Sequence, residues 1–305
     1  MPKSRFKAAK MQASPPRVLN NIVYAPISSW EKHHLDIYHP SAAKHNRSLI
    51  VFVHGGAWRT GDKSSFVDLA KNLAESTGDT VAVVNYTLSI AEIKDDPTSV
   101  PPRAQHPKHV QDVALALGYL YTHASDPEVG GYNPKQVYLV GHSAGGQITG
   151  LLGLRPDIYL ETVEAQLILP FGTLHSAIRG IIGVEGIYNV DRLLKVWPSY
   201  RDFVVQGFGE HPDALILGSP DQQDVPAVSA AGIMFALPHY AIIQSNEDEL
   251  VDAAQASDYY EYLQTVSPRK DVEIEFGDWG GHDDMLQTPQ FTKTITKYIQ
   301  RWSSS

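Results

Sequence analysis

No cysteine occurs among the 305 residues, so disulfides, thiolate metal centres and a cysteine nucleophile are all excluded. No apolar run approaches the roughly 20 residues that a membrane-spanning helix requires. Basic charge is scarce: 25 Lys and Arg stand against 34 Asp and Glu, a formal net charge of −9. Nucleic-acid binding ordinarily needs a basic face, so neither nucleic acid nor a membrane is expected as a partner. The opening stretch MPKSRFKAAKMQASPPR carries five basic residues and no acid, and it lacks the apolar core of a secretory signal. It reads as a flexible basic tail over residues 1–20, with a cytoplasmic location expected and a mitochondrial presequence as the alternative.

What is present suits a globular chain. Apolar residues make up 43% and charged residues 19%, close to the usual soluble composition. Short apolar runs alternate with helical patterns. LIVFV (49–53), VAVVNY (81–86), VYLV (137–140), IIGV (181–184) and AII (241–243) are apolar on both faces, as strands of a parallel sheet covered by helices must be. HLDIY (34–38) and VEIEF (272–276) alternate instead, which places them near the sheet edges or in antiparallel pairs. Val110, Val113, Ala114, Leu117, Leu120 and Tyr121 share one helical face, and so do Leu250, Ala253, Ala254, Tyr260 and Leu263. FTKTITKYIQRW, after Pro289, reads as a closing helix.

This alternation predicts a three-layer α/β fold: a mostly parallel central sheet with helices on both faces, as one domain over residues 21–305. Two stretches break the rhythm. Residues 91–109 carry Pro97, Pro101, Pro102 and Pro107 and read as a loop. Residues 188–238 are long for a crossover and predict a small cap of extra helices over the carboxyl end of the sheet, where ligands of such sheets bind.

Gly141-His142-Ser143-Ala144-Gly145 follows the strand VYLV and opens a helix. That context gives G-x-S-x-G its meaning: a sharp strand-to-helix turn lifts a serine hydroxyl clear of the sheet, and small flanking residues let the backbone pass. A glycine-rich turn with an incidental serine is the bland alternative. Three features outweigh it. HGGAW (54–58) directly follows LIVFV, and its glycine pair permits a backbone oxyanion hole, with Gly56, Ala57 and Ala144 as donors. SNEDELV (245–251) follows another strand and offers Asp248 as an acid, with Glu247, Glu249 and Asp252 nearby. GGHDD (280–284) follows the last strand and offers His282 on a glycine loop. A metal site built from His282, Asp283 and Asp284 is the competing reading, but no second His and carboxylate cluster accompanies it, and neither metal nor cofactor is expected. The chain order Ser143, Asp248, His282 is that of α/β-hydrolases and differs from other serine hydrolase folds.

With these motifs in hand, the chain resembles the α/β-hydrolases of the hormone-sensitive-lipase-like group, and within it the serine-type kynurenine formamidases (arylformamidases). HGGAW matches that family's HGGxW; GHSAGG, VEGIYNVDRLLKVWPSY (184–200), EDELV and GHDD extend the likeness from LDIYHP to the C-terminal helix. The resemblance implies a triad of Ser143, Asp248 and His282, an oxyanion hole at Gly56 and Ala57, and hydrolysis of N-formyl-L-kynurenine to kynurenine and formate, a step of tryptophan catabolism. An aromatic leaving group calls for stacking walls; Trp58 and Tyr188 are the candidates, each equally compatible with a place in the core. A broad carboxylesterase with the same triad is the alternative, and a non-catalytic small-molecule receptor a further one, against which the presence of His282 argues. The expected partner is a small aromatic formamide or ester, with monomer and homodimer both open.

Overall fold

The computed structural model describes residues 16–25, 33–42, 46–89, 104–228, 232, 234–267 and 272–304. Among them the strands are β1 (Arg17–Val23), β2 (His34–His39), β3 (Leu49–Val53), β4 (Thr80–Val84), β5 (Val137–His142), β6 (Ile178–Val184), β7 (His239–Ser245) and β8 (Val272–Gly277). They form one sheet in the order β1-β2-β4-β3-β5-β6-β7-β8. β2 runs antiparallel to both β1 and β4, and every other pairing is parallel.

The helices are α1 (Val67–Thr77), α2 (Lys108–Thr122), α3 (Ala144–Leu154), α4 (Pro156–Gln166), α5 (Thr173–Ala177), α6 (Val190–Val196), α7 (Arg201–Phe208), α8 (Pro212–Leu217), α9 (Ala253–Val266) and α10 (Pro289–Ser303). Strand side chains alternate between two cores, as the two-residue period requires. Val51, Val53, Leu139 and Ile242 pack with α2, α3, α4 and α9 on one face. Ile50, Phe52, Val140 and Ile243 pack with α1 and α10 on the other. The three layers expected from the sequence are therefore present.

Several boundaries differ from the sequence reading. The tail expected over residues 1–20 falls outside the described residues as far as 15, but residues 17–20 belong to β1. That strand is half exposed and carries paired asparagines, so it has no apolar alternation to announce it. The proline-rich segment lies outside the described residues from 90 to 103; beyond it Lys108 and His109 already belong to α2 rather than to a loop. HLDIY is an antiparallel partner inside the sheet, while VEIEF is the parallel edge strand. On α9 the buried face is Gln255, Ala256, Tyr259 and Leu263; Leu250 precedes the helix and Tyr260 is only partly buried.

Between β6 and β7 lie α6, α7 and α8, in the interval where extra helices were expected; residues 229–231 and 233 there lie outside the described set. Among the described residues no helix is long and apolar enough to cross a membrane.

Candidate active site

β5 ends at His142, and Ser143 turns the chain at φ 54°, ψ −119° before α3 begins. The turn is pinned to the neighbouring strand: Ser143 N donates to Val184 O at 2.9 Å, while Ile187 N donates to Ser143 O at 3.3 Å. Its glycines are sterically required. A Cβ on Gly141 would lie 2.2 Å from Gly145 O, and one on Gly145 would lie 2.0 Å from Val53 O. The backbone of α3 thus crosses the end of β3 at a separation no larger residue permits.

The loop after β3 lies against this turn, since a Cβ on Gly55 would come within 2.8 Å of Ser143 Cβ. Gly56, Ala57 and Trp58 have φ of 105°, 52° and 58°, a run of left-handed backbone seen mainly where function holds it. Gly56 O accepts from Arg59 N at 3.0 Å and Thr60 N at 2.9 Å, and Tyr86 OH donates to His54 O at 3.0 Å. These bonds tie down the loop's carbonyls. Among the described residues no acceptor engages the amides of Gly56, Ala57 or Ala144, and Ala144 is the first residue of a helix, whose amide has no partner within it.

Asp248 is the acid that reaches the histidine. Its Oδ2 accepts from His282 Nδ1 at 2.9 Å and from Gln244 Nε2 at 2.9 Å. Its Oδ1 accepts from the amides of Leu250 at 2.8 Å and Val251 at 2.9 Å. Burial opposes the charge on Asp248, but the hydrogen bond and charge of His282 and the amides of Val251 and Leu250 outweigh it and hold the carboxyl below its usual range. The neighbouring acids serve the backbone instead. Glu249 accepts from His282 N at 3.0 Å and Glu247 from Gly280 N at 2.6 Å. Asp252 pairs with Arg192 at 3.5 Å.

Two residues that the sequence left unmarked complete the cluster. His142 donates from Nε2 to His282 O at 3.0 Å and so fixes the histidine loop. Burial, followed by the charge of His282, lowers His142 to about 3, so the ring is neutral. Glu185, directly after β6, is fully buried and turns at φ 47°. Its only signal in the sequence is a charged residue between an apolar strand and a glycine.

Of the two places left open for Trp58 and Tyr188, cleft wall or core, the structure gives both the core. Trp58 is 0% exposed, meets Phe208 edge-on with ring centroids 4.7 Å apart, and donates from Nε1 to Gln147 Oε1 at 2.9 Å. Tyr188 is 1% exposed and stacks on Tyr259 at 4.0 Å. Both rings are already covered by protein, so neither offers a free face to a ligand.

Two groupings, His142 with His282 and Asp283, and Glu185 with Asp248 and His282, bring one donor atom per residue within 4.8 Å of one another. In the second, Nδ1 of His282 already donates to Asp248, so a cation held by that nitrogen would have to replace its proton.

The sheet order, the strained serine turn after β5, and the acid and histidine on the loops after β7 and β8 define an α/β-hydrolase. Esterase B from Lactobacillus rhamnosis has the same fold, with a TM-score of 0.73 and 15% identity over 96% of this chain and 86% of that one. The chain belongs to the BD-FAE family, whose profile matches residues 35–263. A kynurenine formamidase of Meyerozyma guilliermondii is 28% identical over 83% of this chain and 85% of its own length. One from Scheffersomyces stipitis is 26% identical over 82% and 90%. The probable carboxylic ester hydrolase LipM of Mycobacterium tuberculosis is 27% identical over 79% of this chain and 51% of its own length. The likeness to kynurenine formamidases expected from HGGAW and GHSAGG is thus borne out, and the protein is a hydrolase.

Proposed function

We propose that the protein hydrolyses N-formyl-L-kynurenine to kynurenine and formate without a cofactor, through Ser143, His282 and Asp248. The observation that carries the substrate is the run of relatives named kynurenine formamidase that match most of the chain. The chemistry is supported by the contact between Asp248 and His282 beside the strained turn at Ser143.

His282 Nε2 takes the proton of Ser143 as its oxygen attacks the formyl carbon. Asp248, accepting from Nδ1, keeps the imidazole in the tautomer that leaves Nε2 free and faces the charge that then develops on the ring. The amides of Gly56, Ala57 and Ala144 receive the oxyanion; each such donor is worth roughly 10²–10³ in rate. His282 returns the proton to the departing aryl amine, and a water activated by the same ring releases formate from the formyl-serine. LipM gives the second reading, a carboxylesterase using the same residues.

Turnover of formylkynurenine, compared with a short-chain aryl ester, tests the choice. A kcat/KM for formylkynurenine at least tenfold above that for the ester supports the formamidase; the reverse order supports the esterase.

A further inference from the structure

Glu185 is an expensive residue to keep where it is. It is 0% exposed and its backbone is left-handed; no side chain among the described residues donates a hydrogen bond to its carboxyl, and the backbone of Ser245 approaches it. A buried carboxyl with so few donors and a strained non-glycine turn both count against the fold.

Its Oε2 lies 3.5 Å from Nδ1 of His282 and 3.5 Å from Nε2 of His142. Nδ1 of His282 therefore faces two carboxyls, Asp248 at 2.9 Å and Glu185 at 3.5 Å. His142 has little to offer Glu185, because its Nε2 proton already goes to the His282 carbonyl. Two carboxylates this close to one ring do not both ionise readily. Burial first, then the charge of Asp248, with Glu249 and Asp283 adding to it, outweigh the opposing backbone hydrogen bond from Ser245 and push Glu185 up to about 9. At neutral pH Asp248 holds the charge and Glu185 holds a proton.

We propose that Glu185 is a second positioning acid for His282, accepting the hydrogen bond from Nδ1 when Asp248 is lost and so keeping Nε2 free to serve Ser143. This rests on the reading of Ser143, His282 and Asp248 given above. Removing Asp248 also removes the nearest charge that opposes ionisation of Glu185. The replacement matters. The amides of Leu250 and Val251 would hold the oxygen of an asparagine at 248, leaving its NH2 to face Nδ1. That NH2 would donate to Nδ1 and put the ring proton on Nε2. An alanine places no such donor there.

The test compares Asp248→Ala, Asp248→Asn, Glu185→Gln and Asp248→Ala with Glu185→Gln, each checked for folding by circular dichroism. The readouts are p-nitrophenyl acetate hydrolysis and fluorophosphonate labelling from pH 6 to 10. Asp248→Ser, read in the same way, covers the case in which the alanine variant does not fold. Asp248→Ala is expected to stay within about 10²-fold of the unaltered chain at pH 9 and to gain activity as pH rises, whereas Asp248→Asn loses about 10⁴. Adding Glu185→Gln to Asp248→Ala should remove a further factor of about 100 and abolish the pH rise.

The proposal is overturned if Glu185→Gln costs the same factor with and without Asp248, or if the alanine variant is no more active than the asparagine one. In those cases the unaltered chain still reacts with both probes. An unaltered chain that reacts with neither probe would instead remove the hydrolytic reading itself.

Discussion

Trp58 donates from its indole Nε1 to Gln147 Oε1 at 2.9 Å, and Gln147 Nε2 donates in turn to Gly218 O at 2.8 Å. One side-chain amide thus joins the loop after β3, the helix behind Ser143 and the helical segment between β6 and β7. All of it is buried, so every polar atom in the chain depends on the others.

Replacing Gln147 with Leu should leave the indole N–H and the Gly218 carbonyl without partners, at about 1–3 kcal/mol for each buried group. Trp58→Ala removes a fully buried ring and should cost about 3–5 kcal/mol. Chemical denaturation measures both. Because Trp58 is covered, its loss should depress turnover of formylkynurenine and of a short alkyl ester by similar factors. A loss confined to the aromatic substrate would return Trp58 to the cleft.

Ser143→Ala should abolish hydrolysis and fluorophosphonate labelling with little change in melting temperature. Ser143→Gly should be equally inactive but more stable, because a non-glycine residue at φ 54° stores about 1–3 kcal/mol of backbone strain. Full activity in the alanine variant would remove Ser143 as the nucleophile.

Acid should unfold this protein early. Burial is the first cause lowering His39, His106 and His175 to about 4 and His109 and His142 to about 3. In an unfolded chain each titrates near 6.5. Between those values the unfolded state binds more protons, so stability falls as pH drops from about 6.5 towards 4. Asp248, held below its usual value, adds to the loss only below about 3.9. Calorimetry near pH 5 should find a net uptake of about four protons on unfolding, about five taken up by these histidines less about one released by Glu185, whose carboxyl is held protonated in the fold. A melting temperature that stays flat from pH 6.5 to 4.5 would contradict the burial of these rings.

Glu185 has the opposite sign. Its folded value of about 9 lies above the unfolded value of about 4.3. Stability is therefore lost as pH rises between the two. Glu185→Gln has nearly the same shape and no proton to lose. Its melting temperature should exceed that of the unaltered chain by a margin that widens from pH 5 to pH 8. A margin that stays constant or shrinks would mean that Glu185 is already ionised at neutral pH.

Gly145→Ala tests the closeness of the crossing between α3 and β3. The obstructing atom is a backbone oxygen, 2.0 Å from where the Cβ would stand, so no side chain can yield. Overpacking of this kind costs about 1–3 kcal/mol, and more where backbone must move. The variant should be recovered mostly insoluble or with a sharply lowered melting temperature.

The central strands were legible in the sequence because burial on both faces leaves a continuous apolar run. The sites at their ends were legible because glycines mark where backbones touch. β1 was hidden: RVLNNIV is half exposed and pairs through its backbone, which any sequence can supply. Asp248 could be ranked above Glu247 and Glu249 only by strand-end logic; in space, those two hold the amides of Gly280 and His282. Trp58 stayed open between cleft wall and core because a ring beside the loop after β3 and a ring beneath it read alike in one dimension. Gln147 and Glu185 were missed because their importance lies in partners distant in sequence: Trp58, 89 residues from Gln147, and His142 and His282 around Glu185.

The loops that carry the candidate residues follow β3, β5, β7 and β8, and the last of these strands lies at the rim of the sheet. During synthesis Ser143 would leave the ribosome long before His282, and a chain halted anywhere before residue 282 would hold the proposed nucleophile without its proposed base. Reactivity towards serine probes would then appear only near the end of translation, which makes it a reporter of the finished fold rather than of any folding intermediate.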